Sequence, residues 1–173
     1  MSLDFRFEGP RVRKMSDKGR EWLIALEGGC KLKAYRDSAG IPTIGVGQTY
    51  FITQGGRRRV EIGDIISTLA EGLAMFDRVL KDYEAGVDAA TRDDITQSEF
   101  DAFSSFCYNV GIRGFTGSSA VRLFNERASI LKVAESLKLW NRAAGSVIQG
   151  LVNRRSYEAD LLTGGFYRTQ ART

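Results

Sequence analysis

Apolar positions recur at steps of three and four along most of this chain, and at steps of two in one short stretch near its start. From Ser16 to Leu26 the longer period puts Trp22, Leu23 and Leu26 on one face of a short helix. Glu27 falls at the end of that helix, directly before Gly28-Gly29, residues that readily take the left-handed stop conformation. Short alternating segments follow, punctuated by Asp37, Ser38, Gly40, Pro42, Gly45 and Gly47, and predict a small antiparallel hairpin sheet. A polar Gly-Gly-Arg turn and Val60 to Ile62 close a small lobe over about 28–63. Ile66, Leu69, Leu73, Phe76, Leu80 and Tyr83 then lay an apolar stripe along a long spine helix, predicted over about 64–83 and opening near Asp64. The stripe lapses from Ala85 to Ile95. Thr96 and Glu99 form a capping box that opens a core helix carrying Phe100, Phe103, Cys107 and Val110, expected to end at Gly111. A Gly-rich turn, IRGFTGSS, comes next, and further helices are predicted over 119–127, 129–140 and 147–162, the last ending at Gly164-Gly165. A sheet lobe, a spine helix and a helical lobe over 84–167 make an α+β domain with a cleft between its lobes. The reading is therefore one domain over 16–173 behind a loose leader at 1–15.

Composition narrows the chemistry more than the fold. With 173 residues, 43% hydrophobic and 27% charged, the chain can bury a substantial core. No apolar run approaches the roughly 18 residues that span a bilayer, and the start, MSLDFRFEGPRVRK, has no apolar segment of a secretory signal. A net charge of +4 is mild, and the one dense cluster, Arg57-Arg58-Arg59, reads as a solvated loop beyond the hairpin. No nucleic-acid recognition motif accompanies it. The chain contains no histidine, which removes Ser-His and Cys-His catalysis and every His-based metal site. Cys30 and Cys107 form no C-x-x-C pair, and Cys107, inside an apolar helical pattern, reads as a buried packing residue. Catalysis, if there is any, falls to carboxylates.

Taken singly, the candidates are ordinary. A glutamate before Gly-Gly is usually a solvated helix end, Asp37 before Ser-Ala-Gly a turn former, and Thr43 a strand residue. Arg154-Arg155 would be solvated helix charges, and Trp22 and Trp140 core residues. Their joint spacing changes that reading. The segment EGGCKLKAYRDSAGIPTIGVG resembles the active-site segment of the phage-type lysozymes, the endolysins of tailed bacteriophages (glycoside hydrolase family 24). TQSEFDAFSSFCYNVG at 96–111, LWNRAAG at 139–145 and GLVNRRSYEADLLTGG at 150–165 resemble the same family in the same order, over most of 16–167.

The resemblance implies a lysozyme-like fold: a small antiparallel β lobe and a larger helical lobe, joined by a long helix. It implies hydrolysis of the β-1,4 bond between N-acetylmuramic acid and N-acetylglucosamine in peptidoglycan. The family's general acid then falls on Glu27, its catalytic aspartate on Asp37 and its catalytic threonine on Thr43. Asn109 matches a polar substrate-binding position of the cleft, and Arg154 a basic residue beside the glutamate. No cofactor or metal is implied, and a monomer is expected. With no signal sequence, the protein is expected in the host cytoplasm before release, reaching the periplasmic wall through a membrane-permeabilising partner such as a holin. The chain departs from the family at Gln48, where His is common, and by an extra residue in the Gly28-Gly29-Cys30 turn.

Glycoside cleavage asks for one carboxyl that gives a proton to the leaving oxygen and a second that stays ionised. Glu27 at a helix C-terminus meets the negative end of the dipole, whereas a neighbouring Arg154 acts in the opposite sense. A water held between Asp37 and the Thr43 hydroxyl implies inversion, with carboxyl groups roughly 6.5–9.5 Å apart. The alternatives are a lytic transglycosylase, which needs no such water, and a catalytically silent wall-binding module, which would have lost the acid or the aspartate.

Overall fold

A computed structural model describes residues 12–170; most of the expected leader, 1–11, lies outside the described residues. Helix α1, Asp17–Leu26, is capped by Ser16, whose hydroxyl accepts from the Gly19 N–H at 2.9 Å. Strand β1, Lys31–Arg36, pairs antiparallel with β2, Pro42–Gly45, around the turn that holds Asp37. A second antiparallel hairpin joins β3, Tyr50–Thr53, to β4, Gly56–Arg59. The three arginines expected in a solvated loop therefore lie in a strand, because Gln54-Gly55 turns the chain back onto Tyr50–Thr53.

The spine helix differs from its expected span. Helix α2 runs Leu69–Ala90, not 64–83. Thr68 caps it, accepting from Glu71 N–H at 3.1 Å, while the Glu71 carboxylate accepts from Ser67 N–H at 3.0 Å. Ile66 belongs instead to the small lobe, where its N–H reaches the Leu32 carbonyl at 2.8 Å. Ile66 packs there with Ile44, Val60 and Met75. Leu69 is exposed, and the buried stripe of α2 is Gly72, Met75, Phe76, Leu80, Glu84 and Val87. The acid within this stripe makes the apolar pattern lapse before the helix does.

Glu84 is buried because its carboxylate accepts the Met15 N–H at 2.8 Å. Burial holds its carboxyl above the ordinary value, with the Met15 hydrogen bond acting against the shift. A carboxyl raised in the folded state stabilises fully below its unfolded value, and that contribution is lost as pH rises through its folded value. Gln at this position keeps an acceptor and never ionises. Thermal unfolding of Glu84→Gln is expected to show a gain over wild type that is larger near about pH 8 than near about pH 4; the reverse order would overturn this account.

Helix α3, Gln97–Thr116, opens with the predicted capping box between Thr96 and Glu99. It breaks at Gly111 (φ 81°, ψ 157°), but the chain then resumes helical geometry through 112–116 where a loose turn was expected. Glycine is the residue that takes this conformation without steric cost. Helices α4, Ser119–Asn125, and α5, Ile130–Lys138, follow. A short hairpin that the sequence pattern did not signal, β5 (Arg142–Ala143) with β6 (Ser146–Val147), leads into α6, Gln149–Gly164. Gly165 ends α6 in the left-handed conformation, φ 71°.

Phe100, Phe103, Phe106, Phe115 and Phe124 form the centre of the helical lobe, packed largely edge to face. Asp101 fastens its periphery: it accepts from Ser16 N–H at 3.0 Å, Gln97 Nε2 at 2.9 Å and the Tyr167 hydroxyl at 2.7 Å. Both ends of the described chain are thereby tied to α3. Among the described residues, no helix is long and apolar enough to cross a membrane.

Candidate active site

Glu27 is the C-cap of α1, its N–H returning to the Leu23 carbonyl at 3.1 Å. Gly28 and Gly29 follow with φ of 80° and 83°, so the chain turns away and leaves the side chain standing at the helix end. One oxygen, Oε1, receives Arg154 Nη1–H at 2.6 Å. The other faces the backbone of Gly47, where a β-carbon would lie 2.8 Å from Oε2. Gly47 also has φ 74°, so both space and backbone conformation call for glycine there. The buried Gln48 side chain fixes this turn by accepting the Val46 N–H at 2.6 Å.

Arg154 comes from α6 and is the hub of a buried network. Besides Glu27 it donates to Glu158 Oε1 at 3.2 Å, and to the carbonyl and hydroxyl of Ser105 at 3.2 and 3.3 Å. Glu158, with no exposed surface, also accepts from Ser105 Oγ at 2.7 Å and Arg155 Nη2 at 3.2 Å. Arg155 is equally buried, and reaches out to Asn109 Oδ1 at 2.8 Å while lying over the Phe106 ring. Two carboxyl groups and two guanidiniums thus form one connected cluster. Burial alone would lower the Arg154 pKa, but Glu27 and Glu158 together outweigh it and hold the group above its ordinary value. For Arg155 burial prevails, helped by the like charge of Arg154, and its pKa is lowered.

Asp37 lies in the β1–β2 turn. Its Oδ1 accepts the N–H groups of Ala39 at 2.9 Å and Ile41 at 2.8 Å. Among the described residues its Oδ2 has no hydrogen-bond donor. Thr43, almost fully buried, donates its hydroxyl proton to the Ile41 carbonyl at 2.9 Å, the same carbonyl that accepts the Asp37 N–H at 3.0 Å. Asp37 and Thr43 are therefore fastened to one residue, Ile41. Tyr35, opposite Thr43 in the hairpin, is raised in pKa by burial first and then by the charges of both Glu27 and Asp37. The two carboxylates share one neighbourhood.

Beside Gly47 a cavity of about 270 Å³ opens between the small lobe and helices α2 and α3, lined by Tyr50, Arg57, Tyr83, Tyr108 and Ile112 among others. Tyr108 links it to the acid: its hydroxyl donates to the Val46 carbonyl at 2.6 Å, and burial followed by the Glu27 charge pushes its pKa far up. The structure thus brings Glu27 and Arg154 into contact, ties Asp37 in the turn and Thr43 in β2 to the same residue, and joins the exposed Asn109 to Arg155. Glu158, Tyr108 and Gly47 escaped the sequence reading. The i, i+3 and i, i+4 spacing of Glu158 from the arginine pair was the available signal. Cys107 is buried, its thiol pushed up to about 12 by burial, and it is not bonded to Cys30.

This fold is that of a known class. Residues 25–158 match the family described as Phage lysozyme, and the chain belongs to that family. The endolysin of Bacillus phage PZA is 35% identical over 155 residues, a match covering 88% of this chain and 56% of that relative, so the chain spans little more than half of its length. Among solved structures, an endolysin from Escherichia coli O157:H7 phage FAHEc1 superposes with a TM-score of 0.80 at 33% identity, covering 92% of this chain and 99% of that one. A mutant P22 lysozyme gives 0.70 at 32% identity, covering 87% and 98%. The lysozyme-like α+β architecture expected from the sequence is the one observed.

Proposed function

We propose that this protein is a peptidoglycan N-acetylmuramidase, a lytic enzyme that hydrolyses the β-1,4 bond between N-acetylmuramic acid and N-acetylglucosamine. The observation that carries this reading is the fastening of Asp37 and Thr43 to the single residue Ile41. The Thr43 hydroxyl points its proton at the Ile41 carbonyl, so toward any other partner its oxygen is an acceptor. Asp37 offers Oδ2 as a second acceptor. A water donating one O–H to each is left with a lone pair for the anomeric carbon. As the bond breaks, Glu27 gives its proton to the departing sugar oxygen and Asp37 takes one from the water. Attack from the face opposite the leaving group inverts the β linkage to an α product.

Arg154 holds the Glu27 carboxyl in place. Because Glu158 shares that guanidinium, part of its charge is answered elsewhere. The family membership supports glycoside hydrolase family 24 chemistry, with no cofactor, with Asn109 toward the substrate and with Arg154 acting on it through Glu27. Release from the host cytoplasm to the wall through a holin, and action as a monomer, belong to the same proposal.

Digestion of purified peptidoglycan tests it. Mass spectrometry is expected to show ordinary reducing muramic ends, and NMR an α first-formed anomer. Anhydro-muramic ends would assign a transglycosylase instead. Binding without cleavage would leave a wall-binding module.

A further inference from the structure

The hairpin β3–β4 has two faces with different work. Tyr50 lies opposite Arg59, Phe51 opposite Arg58, and Ile52 opposite Arg57. Since side chains alternate across a strand, Tyr50, Ile52, Arg57 and Arg59 share one face, and Phe51 with Arg58 the other. The second face is satisfied internally: Phe51 packs on the small-lobe core, Arg58 lies over its ring, and Asp64 takes Arg58 in a two-pronged pair at 3.0 and 3.2 Å. The first face is not. Tyr50, Ile52 and Arg57 line the cavity that begins at Gly47 beside Glu27. Arg57 is 68% exposed, and its one acidic neighbour among the described residues is Asp82, 3.9 Å away and itself 64% exposed. Arg59 lies over the Tyr50 ring and has no carboxylate partner among the described residues. Even counting Asp82, this end of the cleft carries an excess of one positive charge.

We infer that the Arg57–Arg59 face of this hairpin binds carboxylates of the peptide stems that muramic acid carries. The inference rests on the muramidase reading. A glycan seated with its scissile bond at Glu27 runs along the cleft past Tyr108, Tyr83 and Tyr50. With each lactyl carboxyl of muramic acid tied up in the amide to its stem, the sugars are neutral and give two guanidiniums nothing to pair with. The peptide stem recurs on every second sugar and ends in free carboxylates, the partner that a planar guanidinium fits with two parallel hydrogen bonds. Arg57 and Arg59 stand two residues apart on one strand face, which suits two acidic groups of one stem. Asp82 works against such a ligand and so sets a limit on its affinity.

Soluble glycan fragments with intact stems, and the same fragments with the stem carboxylates converted to amides, provide the test. In Arg57→Gln/Arg59→Gln, the ratio of KM for free-acid to amidated fragments is expected to rise about tenfold. Asp82→Asn is expected to lower that ratio, and Arg58→Gln, on the other face, to leave it where it was. A ratio unchanged in the double variant, or a loss equal on both fragments, would overturn the inference. Should the wild type cleave neither fragment, the muramidase reading fails alone. Calorimetric binding of the uncleaved free-acid fragment then still decides, because its Kd must rise in the double variant and fall in Asp82→Asn.

Discussion

Glu27→Gln is expected to lower kcat for peptidoglycan cleavage by about 10²–10⁴-fold, the usual share of a positioned general acid, with little change in KM. Gln is isosteric and its amide oxygen still accepts from Arg154, so the helix end and the Gly47 turn keep their geometry. What disappears is the proton needed by the departing sugar. Like the protonated acid it replaces, Gln brings no charge to the buried network. Glu27 is more accessible than Arg154, Arg155 or Glu158, with 17% of its side chain exposed, and Arg154 still has Glu158. The loss should therefore appear in turnover far more than in the urea unfolding midpoint. Release of reducing ends at saturating substrate is the measurement, and a variant turning over at the wild-type rate would remove Glu27 from the chemistry.

Glu158→Gln is expected to do the opposite and damage the fold first. Both Glu158 and Arg155 are fully buried, and Glu158 is the carboxylate against which Arg155 lies, with Arg155 Nε 2.9 Å from Oε2. Removing the charge strands a guanidinium that has no route to water. Breaking a buried pair on one side costs about 3–5 kcal/mol, enough to lower the Tm of a domain this size by roughly 10 °C. The double replacement Arg155→Met/Glu158→Leu should recover much of that loss, since it removes both charges and refills their volume. Denaturant midpoints of the three proteins decide the matter. A single variant as stable as wild type would show that the pair is not energetically closed.

Local physical chemistry was legible in the sequence wherever it acts over a few residues. Ser16 and Thr96 start helices because their hydroxyls reach N–H groups in the first turn, and Gly28-Gly29 and Gly165 end them because they accept positive φ. The family resemblance supplied Glu27, Asp37, Thr43, Asn109 and Arg154 as candidates, and their contacts are those described above. Features set by distant partners were not legible. Glu84 interrupts an apolar stripe and so hides the last turns of α2, because its acceptor role depends on Met15. Ile66 fits a helical period but is claimed by Leu32 and the small-lobe core. Arg57, Arg58 and Arg59 read as one charge cluster, and only strand pairing divides them between two faces.

The acid and its guanidinium are separated by 127 positions along the chain. On a ribosome, Glu27 emerges well before Arg154, with the spine helix and most of the helical lobe in between. The Trp22 indole, one turn before the acid, similarly waits for the Arg168 carbonyl at 2.8 Å. Helix α1 therefore has no finished seat until α6 has been made and folded against α3. Contacts so distant form late in assembly. A growing chain thus has its sheet hairpins and spine helix before the Glu27–Arg154 contact can exist, and the site is complete only once α6 has folded against the rest.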